Sequence, residues 1–275
     1  MEKHLKAIKV QEKDFLWLHL RDLPYFRSIT RTVEAGFYQE FELSRPVLDV
    51  GCGDGHFASI AFDSPIDVGL DPWYRPVHEA AGRGGYCYLV QADGGKMPFP
   101  DAYFNSAISN SVLEHIPHVE AVLADTARVL KPGSLFLFCV PNPAYYSELA
   151  LPRILQQVGL KRLGQAYIHW FGRISRVVHA DTPETWQRRL EQAGFQLERW
   201  WHYLSPAAWR IVEWGHYLGV PSLFFKKLTG HWILVPTRWN LAITEGIVRP
   251  YTKSVQDPSG VFTFYVARKK GSSPS

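Results

Sequence analysis

The chain has 275 residues, of which 46% are hydrophobic and 20% are charged, and its formal net charge is +4. This composition is typical of a soluble globular protein, and so small a net charge does not by itself indicate nucleic-acid binding. No apolar run reaches the roughly 18 residues that a membrane-spanning helix needs, and the first residues lack the apolar core of a signal peptide. We therefore expect a cytoplasmic protein.

The first part of the chain, residues 1–44, is predicted to be a helical segment. Between residues 12 and 41, apolar side chains recur at the spacing of one or two amphipathic helices. Tyr25, Arg27 and Arg31 lie there, so this segment either closes over a bound ligand or covers the edge of a sheet. Both interpretations stay open at this stage.

After residue 45, strand-like and helix-like segments alternate, which is typical of a parallel α/β sheet. We predict strands at residues 47–52, 67–71, 86–91, 104–110, 134–140, 195–203 and 261–268. Helices are predicted directly after residue 55 and at residues 75–82, 119–130 and 183–193. The third of these helices is followed by Lys131-Pro132-Gly133, a sequence that ends helices.

The first predicted strand ends in three alternate glycines, Gly51, Gly53 and Gly55. Glycine there lets the backbone turn sharply and lets a ligand approach the main chain closely. A dinucleotide site would have the spacing G-x-G-x-x-G, which this loop lacks. Asp49 and Asp54 make the loop acidic, which disfavours phosphates and favours a ligand that carries an ammonium or sulfonium.

The loop resembles the first motif, D/E-x-G-x-G-x-G, of the class I S-adenosylmethionine (SAM) methyltransferases. Four further landmarks follow in that family's order. Asp71 ends the second strand, and residues 91–104 are similar to the family's D-x-x-x-L-P-F-x-D-x-x-F-D segment, whose first Asp is matched by Asp93. Residues 109–116 contain V-L-E-H, and residues 128–134 read R-V-L-K-P-G-S. The resemblance covers about residues 45–140. It is closest to the broad type 11 subgroup, which contains ubiquinone, menaquinone and natural-product methyltransferases.

The resemblance implies a set of residues that bind SAM, and each has a plainer structural alternative. Asp49 either organises the loop and holds the ligand's ammonium or only caps the loop; Asp71 either binds ribose hydroxyls or begins a helix. Asp93 either contacts adenine or makes a turn, and Asn110 either orients the methionine carboxylate or ends its strand. The full implied set is Asp49, Gly51, Cys52, Gly53, Gly55, Asp71, Pro72, Asp93, Gly94 and Asn110.

His115 is the candidate general base, because an imidazole titrates near neutral pH. The same histidine is common in the resembled family across unrelated chemistries, so the alternative is that it shapes the pocket. His56 and His179 are weaker candidates. Methyl transfer depends mainly on the alignment of nucleophile, methyl group and sulfur, so a base is needed only when the acceptor is a hydroxyl.

The three cysteines lie in or beside predicted strands, at positions 52, 87 and 139, without the spacing of a metal site. We expect free thiols in a reducing compartment and no bound metal.

Two insertions distinguish the chain, at about residues 142–180 and 204–260. Such long connections are expected to have structure of their own, and both leave the sheet at the carboxyl ends of strands, where ligands bind. We therefore predict a cap over the acceptor site. Between residues 199 and 253 there are six of the ten tryptophans, and seven Lys or Arg against two Glu. This composition favours either a membrane-facing or lipid-binding cap, or simply the cap's own core.

The sequence thus predicts an α/β, Rossmann-like class I methyltransferase fold: a seven-stranded, mostly parallel sheet with an antiparallel last strand. The methyltransferase domain is expected at residues 45–268, followed by a disordered tail at 269–275. The expected activity is SAM-dependent methyl transfer to a hydrophobic or lipid- or glycan-linked small molecule, with oxygen as the favoured acceptor atom. The alternatives are a non-catalytic SAM-binding scaffold, a nucleic-acid methyltransferase and an NAD-dependent enzyme. A nucleic-acid substrate is disfavoured because residues 110–113 lack the N/D-P-P-Y/F motif.

Overall fold

Seven strands form a single sheet in the computed structural model, which describes residues 13–218 and 220–271. The strands are β1 (Val47–Val50), β2 (Ile66–Asp71), β3 (Tyr86–Gln91), β4 (Phe104–Asn110), β5 (Leu130–Pro141), β6 (Phe195–Tyr203) and β7 (Phe262–Lys269). Their order is β3-β2-β1-β4-β5-β7-β6, in which β7 runs antiparallel to both of its neighbours and the remaining pairs are parallel. The predicted fold class is therefore confirmed.

Two strand boundaries differ from the prediction by more than one residue. β1 ends at Val50, because Gly51 has a φ of +86° that takes the chain out of the extended conformation. The helix predicted at residues 119–130 ends at Val129, and β5 already begins at Leu130. Leu130 pairs with Phe104 in β4, ahead of a register shift, so the Lys131-Pro132-Gly133 turn lies inside the strand.

Helices follow most of the strands and also make up the two insertions. They are α1 (Phe15–Leu20), α2 (Tyr25–Tyr38), α3 (His56–Ala61), α4 (Tyr74–Ala81), α5 (Val119–Val129), α6 (Ala144–Ser147), α7 (Ala150–Gln157), α8 (Lys161–Ser175), α9 (Pro183–Gln192), α10 (Pro206–Leu218), α11 (Val220–Thr229) and α12 (Arg238–Val248). The helices predicted at residues 75–82 and 183–193 correspond to α4 and α9. In α9, Pro183 is the first residue, where its missing N–H costs no hydrogen bond.

The sheet separates two apolar clusters. Alternate residues of a strand face opposite sides, and Val47 accordingly packs in one cluster while Leu48 packs in the other. The first cluster contains buried residues of α1, α2 and α3, and the second those of α5 and α9. On the first side Phe37 of α2 contacts the ring of Phe264 in β7. The N-terminal helices therefore cover one face of the sheet.

The two insertions contain α6–α8 and α10–α12, and Glu213 of α10 connects them. This fully buried carboxylate accepts hydrogen bonds from the backbone N–H groups of Ala150 and Leu151 and from the hydroxyl of Tyr167, the last at 2.8 Å. Trp209 of α10 also donates its indole N–H to the Tyr145 carbonyl at 3.0 Å. The helices of both insertions are thus held together by buried polar contacts.

Residues 1–12 of the predicted N-terminal segment, and residues 272–275 of the predicted tail, lie outside the described residues. The division into residues 1–44, 45–268 and 269–275 stays a prediction. Within residues 13–218 and 220–271, none of the helices combines the length and the apolar character needed to cross a bilayer.

Candidate active site

The three glycines of the loop differ in the space beside their Cα atoms, which is free at one position and filled at two. Gly51, Gly53 and Gly55 all have positive φ, at +86°, +54° and +72°, a conformation that favours glycine. A Cβ atom on Gly51 would overlap the side chain of Val112, and one on Gly55 would lie 2.9 Å from the Cβ of Ala80. A Cβ on Gly53 would have no atom within 4 Å. Gly53 is therefore the position at which a ligand can approach the loop.

Asp71 lies at the end of β2 and is bound to the same loop. Its Oδ2 accepts a hydrogen bond from the N–H of Gly53 at 3.1 Å, and its Oδ1 accepts one from the N–H of Trp73 at 3.0 Å. Burial raises the pKa of Asp71, against the lowering effect of these two bonds. Pro72, the next residue, is exposed. A carboxylate has further lone pairs, so this geometry fits a pair of ribose hydroxyls.

Asp49 has one oxygen without a partner. The hydroxyl of Tyr86 donates to its Oδ2 at 2.6 Å, whereas its Oδ1 is buried and makes no hydrogen bond. Burial raises the pKa of Asp49 to about 7, and the charge of Asp71 contributes in the same direction. A buried acceptor without a donor is costly, and a ligand ammonium next to Oδ1 would satisfy it. Cys52 beside it is buried, which raises the pKa of its thiol, so the thiol stays protonated.

The remaining predicted SAM residues follow β3 and end β4. Asp93 is exposed and accepts a hydrogen bond on Oδ1 from the N–H of Gly95 at 2.7 Å, so it does shape a turn. Gly94 is buried against Val122, and a Cβ atom on it would lie 3.2 Å from a methyl group of Val122. The predicted adenine contact of Asp93 stays a prediction.

Asn110 is held by a buried glutamate from the N-terminal helix α2. Its side-chain amide donates to Oε2 of Glu34 at 2.8 Å, and Glu34 also accepts from Ser111 at 3.0 Å and from Tyr203 at 2.9 Å. Burial raises the pKa of Glu34, while these hydrogen bonds lower it. Motif spacing did not predict this residue, although an acid on the apolar face of an amphipathic helix was an available signal.

A cavity of about 290 Å³ lies above the carboxyl ends of β4 and β5. Its walls come from α2, from the segment after β4 and from both insertions: Phe26, Arg27, Thr30, Arg31, Glu34, Asn110, Ser111, Glu114, His115, Pro141, Tyr145, Ser175, Val177, Trp209, Val212, His216 and Phe262. The cap predicted from the two insertions does line this cavity. Of the two earlier interpretations of the N-terminal segment, α2 therefore supports the one in which it closes over the site.

Two guanidinium groups of α2 face this cavity. Within the described chain, neither Arg27 nor Arg31 forms an ion pair with a carboxylate. Glu34 and Asp54 interact with them only through space. Burial lowers the pKa of Arg27 to about 10, and the charge of Arg31 adds to this effect. The charges of both arginines act to lower the pKa of Asp54 in the glycine loop. Both residues are half-buried, and a partly desolvated cation without an acid partner fits an anionic ligand.

His115 lines the cavity, whereas the other two candidate histidines do not. Its Nδ1 lies 2.9 Å from the carbonyl of Arg176, so Nδ1 is the donor and Nε2 keeps a lone pair. Burial lowers the pKa of His115, which favours the neutral form that can accept a proton. The ring of His56 contacts Asp22, and that of His179 contacts the Ile116 carbonyl. A catalytic role of these two stays a prediction.

Glu114, next to His115, was also missed by sequence reasoning. It is fully buried, its Oε2 makes no hydrogen bond, and burial holds its pKa well above the usual range. Its backbone carbonyl accepts hydrogen bonds from the N–H groups of Val178 and His179, which ties the first insertion to the segment after β4. Among the described residues, no group of three or more His, Cys, Asp or Glu is placed to hold a metal ion.

Comparison with known proteins shows the family of the chain. Residues 17–199 match the model of a methyltransferase domain family, and the chain belongs to that family. The resemblance to class I SAM-dependent methyltransferases is thereby confirmed. This family and fold imply SAM as the cofactor, and the open face of Gly53 and the unpartnered oxygen of Asp49 fit it.

Individual relatives are similar over shorter stretches. A methyltransferase of Mycobacterium marinum is 36% identical over 94 residues, which are 33% of this chain and 37% of that protein. A fatty-acid O-methyltransferase of Mycolicibacterium smegmatis is 34% identical over 108 residues, 36% of this chain and 38% of that protein. The chain thus spans less than half the length of the curated relatives it matches.

Two solved structures show the same fold at low sequence identity. A SAM-dependent methyltransferase of Thermotoga maritima aligns with a TM-score of 0.54 and 14% identity, covering 89% of this chain and 91% of that one. The [4+2]-cyclase SpnF aligns with a TM-score of 0.55 and 16% identity, covering 96% and 86%. Since one of these is named a cyclase, the fold alone does not fix the reaction.

Proposed function

We propose that the chain transfers a methyl group from SAM to an oxygen atom of a lipophilic small molecule, with a carboxylate as the favoured acceptor. The observation that carries this proposal is the cavity above β4 and β5, whose lining combines aromatic and aliphatic side chains with two guanidinium groups that form no ion pair within the described chain. Apolar walls suit a lipophilic body, and a guanidinium binds a carboxylate with two parallel hydrogen bonds.

On the donor side, we assign the methionine end of SAM to the glycine loop. Asp49 would hold the ammonium at its unpartnered Oδ1, Gly53 would leave room for the ligand, and Asp71 would bind the ribose. We propose that Arg31, whose charge acts to lower the pKa of Asp49 beside the loop, holds the methionine carboxylate. The adenine would be lined by Pro72, Asp93 and Gly94, and the main chain at Asn110 would face the methionine.

On the acceptor side, we propose that Arg27 holds the acceptor's carboxylate in the cavity. Bound SAM supplies a methyl group that its sulfonium makes electrophilic. A carboxylate oxygen uses one lone pair to form the new O–C bond, the C–S electron pair passes to sulfur, and no proton has to move. The chain's contribution is then alignment and the exclusion of water by the cap.

A relative named as a fatty-acid O-methyltransferase supports the same acceptor class. Its aligned part covers 38% of that protein, so the match supports the proposal without extending to its whole length. We also propose a cytoplasmic setting, since Cys52, Cys87 and Cys139 are all free thiols, as is usual in a reducing compartment.

A hydroxyl acceptor is the second candidate, and His115 is the observation that favours it. Its Nδ1–H donates to the Arg176 carbonyl, which leaves Nε2 able to take the proton that a hydroxyl loses. His115 would then be a general base, whereas with a carboxylate acceptor it only shapes the cavity wall.

The test is transfer of a labelled methyl group from SAM to a panel of long-chain carboxylic acids and the matching alcohols. We expect methyl esters to form, and Arg27→Ala to raise the KM for the acid by about tenfold or more, the scale of one charge-assisted bond. Arg27→Lys should recover part of the loss, and Arg31→Ala should instead weaken SAM binding. Methyl transfer to the alcohols alone would refute the carboxylate as the acceptor group, and transfer to neither acids nor alcohols would refute the proposed function.

A further inference from the structure

A row of apolar side chains lies on the outward side of helix α8, in the first insertion. Leu163, Trp170 and Ile174 are 56%, 41% and 47% exposed. Their spacing of i, i+7 and i+11 places all three on one side of the helix. A different side of α8 is packed against the protein, because Phe171 is buried in the apolar cluster that contains α1 and α2. Helix α8 therefore has a second apolar side, and we call its three residues the α8 row.

The turn before α8 extends this apolar surface. Val158 and Leu160 are both exposed there, and they flank Gly159, whose φ of +81° lets the chain reverse. The N–H of Leu160 donates a hydrogen bond to the carbonyl of Leu155 in α7 at 2.7 Å. This bond holds the turn against α7, so both exposed side chains keep a fixed place beside the first turn of α8.

Aromatic residues of the second insertion continue the α8 row. The ring of Trp170 stacks on that of Tyr217 in α10, with centroids 6.2 Å apart and an interplanar angle of 14°. Trp214 in α10 contacts the ring of Tyr217 edge-on at 5.9 Å and is 43% exposed. The exposed apolar surface therefore extends from the α7–α8 turn to α10, and an extended surface of this kind marks an interaction site.

The stretch that contains α7 and α8 is rich in cations and has no acids. Residues 149–180 include five Lys or Arg and no Asp or Glu. The acids at its two ends are occupied, because Glu148 pairs with Arg153 and Asp181 pairs with Arg189. Four cations form no ion pair within residues 13–218 and 220–271: Lys161, Arg162, Arg173 and Arg176. This part of the surface therefore keeps its positive charge.

Two of these four cations lie directly beside the α8 row. Arg162 precedes Leu163, and Arg173 follows Trp170 by three residues, the spacing at which side chains on a helix are neighbours. A partner for this surface must therefore offer an apolar layer with negative charge at its edge. A second copy of the chain, docked through the same side, would bring the same cations, which repel. An anionic bilayer offers both features, because its headgroup charges lie above the acyl chains.

We propose that the α8 row, together with Val158 and Leu160, docks on the surface of an anionic lipid bilayer. Interfacial helices insert an apolar side into the boundary between headgroups and acyl chains, with cations at the level of the headgroups. Trp170 lies within the row, and tryptophan prefers this depth. Ser175 at the end of α8 and Val177 line the cavity, so the docked helix leads to the candidate active site. The docking requires no methyl transfer and is tested separately from the proposed activity.

The test is co-sedimentation of the whole chain with vesicles of phosphatidylcholine and phosphatidylglycerol at low salt. We expect the wild-type chain to sediment, and to bind more weakly to phosphatidylcholine alone and at high salt. The double variant Trp170→Gln, Ile174→Gln, which we call the α8 variant, should bind about tenfold or more weakly, because it removes two apolar side chains from the docked side.

The matched control is the double variant Trp239→Gln, Ile243→Gln on α12. It replaces the same residue types at the same spacing, and both side chains are more exposed, at 77% and 80%. The arginines at the two ends of that helix, Arg238 and Arg249, pair with Asp14. We therefore expect the α12 control to bind vesicles like the wild type.

A second variant, Arg162→Gln, Arg173→Gln, removes charge and leaves the α8 row intact. Each cation near an anionic surface strengthens binding by about fivefold, so this arginine variant should bind about twentyfold more weakly and depend less on salt. Both arginines are exposed and form no ion pair within the described chain, so the Tm should stay at the wild-type value. The arginine variant therefore decides the question if the loss of the Trp170 ring disturbs its stacking on Tyr217.

Any of three results would overturn the proposal. The wild-type chain could fail to sediment, the arginine variant could bind as well as the wild type, or the α12 control could lose as much binding as the α8 variant. Light scattering adds a further criterion, because a dimer that the α8 variant dissociates, without vesicle binding, would assign the row to a second copy.

Discussion

Gly53→Ala is the substitution that tests the SAM site most directly. The new Cβ would have no atom within 4 Å, so it fills only the space that we assign to the ligand. The cost to the fold comes from the backbone alone, since Gly53 has a φ of +54°. A left-handed conformation costs a non-glycine residue about 1–2 kcal/mol. We therefore expect a folded variant with a blocked site.

The matched control is Gly133→Ala, which carries the same backbone strain at a different place. Gly133 has a φ of +81°, and its Cβ would also have no atom within 4 Å. It lies near the start of β5, at the opposite edge of the sheet from the carboxyl ends where the glycine loop lies. Both variants should lose about 1–2 kcal/mol, which for a domain of this size lowers the Tm by about 2–8 °C.

Calorimetry with SAM then separates the two variants. Gly53→Ala should weaken SAM binding by at least about tenfold, which corresponds to about 1.4 kcal/mol, and Gly133→Ala should leave it unchanged. Retention of wild-type affinity in Gly53→Ala would refute the assignment of the open loop face to SAM. Gly51→Ala makes a third comparison: its Cβ would overlap Val112, so we expect it to disturb the fold itself.

Three further predictions concern acids and a histidine. Because Asp49 has a pKa of about 7, its carboxyl group is mostly neutral at pH 5.5. The affinity for SAM, measured by calorimetry, should therefore rise between pH 5.5 and 7.5, by at most about tenfold per pH unit below that pKa. Asp49→Asn should remove this rise. His115→Ala should lower the rate of methyl transfer by about 10²–10⁴-fold if the acceptor is a hydroxyl. If the acceptor is a carboxylate, the rate should fall by less than about threefold, because no general base is needed. Glu213→Ala removes the acceptor of three hydrogen-bond donors and should lower the free energy of unfolding in urea by about 3 kcal/mol or more. An unchanged urea midpoint would show that the insertions do not depend on Glu213.

The strands and the glycine loop could be predicted from the sequence because their signals are local. The run before Gly51 is apolar apart from Asp49, and the three glycines occur within five positions. The carboxylate of Glu34 could not be placed in this way. It binds Asn110, Ser111 and Tyr203, which are 76, 77 and 169 positions away, and such distant contacts leave no periodic pattern.

The tryptophans of the second insertion show a different limit. Their number suggested either a lipid-facing cap or the cap's own core, and the structure divides them between buried and exposed positions. Trp209 is buried against Tyr145, while Trp239 points outward from α12. Composition counts aromatic residues but does not say which helix face carries them. That depends on packing against α1 and α2, which only the fold reveals.

The electrostatics of the cavity follow from burial rather than from a count of charges. Two acids, Glu34 and Glu114, line it beside Arg27 and Arg31, so the sequence alone would suggest a balanced site. Burial raises the pKa of both acids and so favours their neutral forms, whereas an arginine stays charged even with a pKa of about 10, as for Arg27. This difference favours an anion in the cavity. Since Arg31 is proposed to hold the methionine carboxylate, an acceptor that arrives as an anion would be the partner of Arg27.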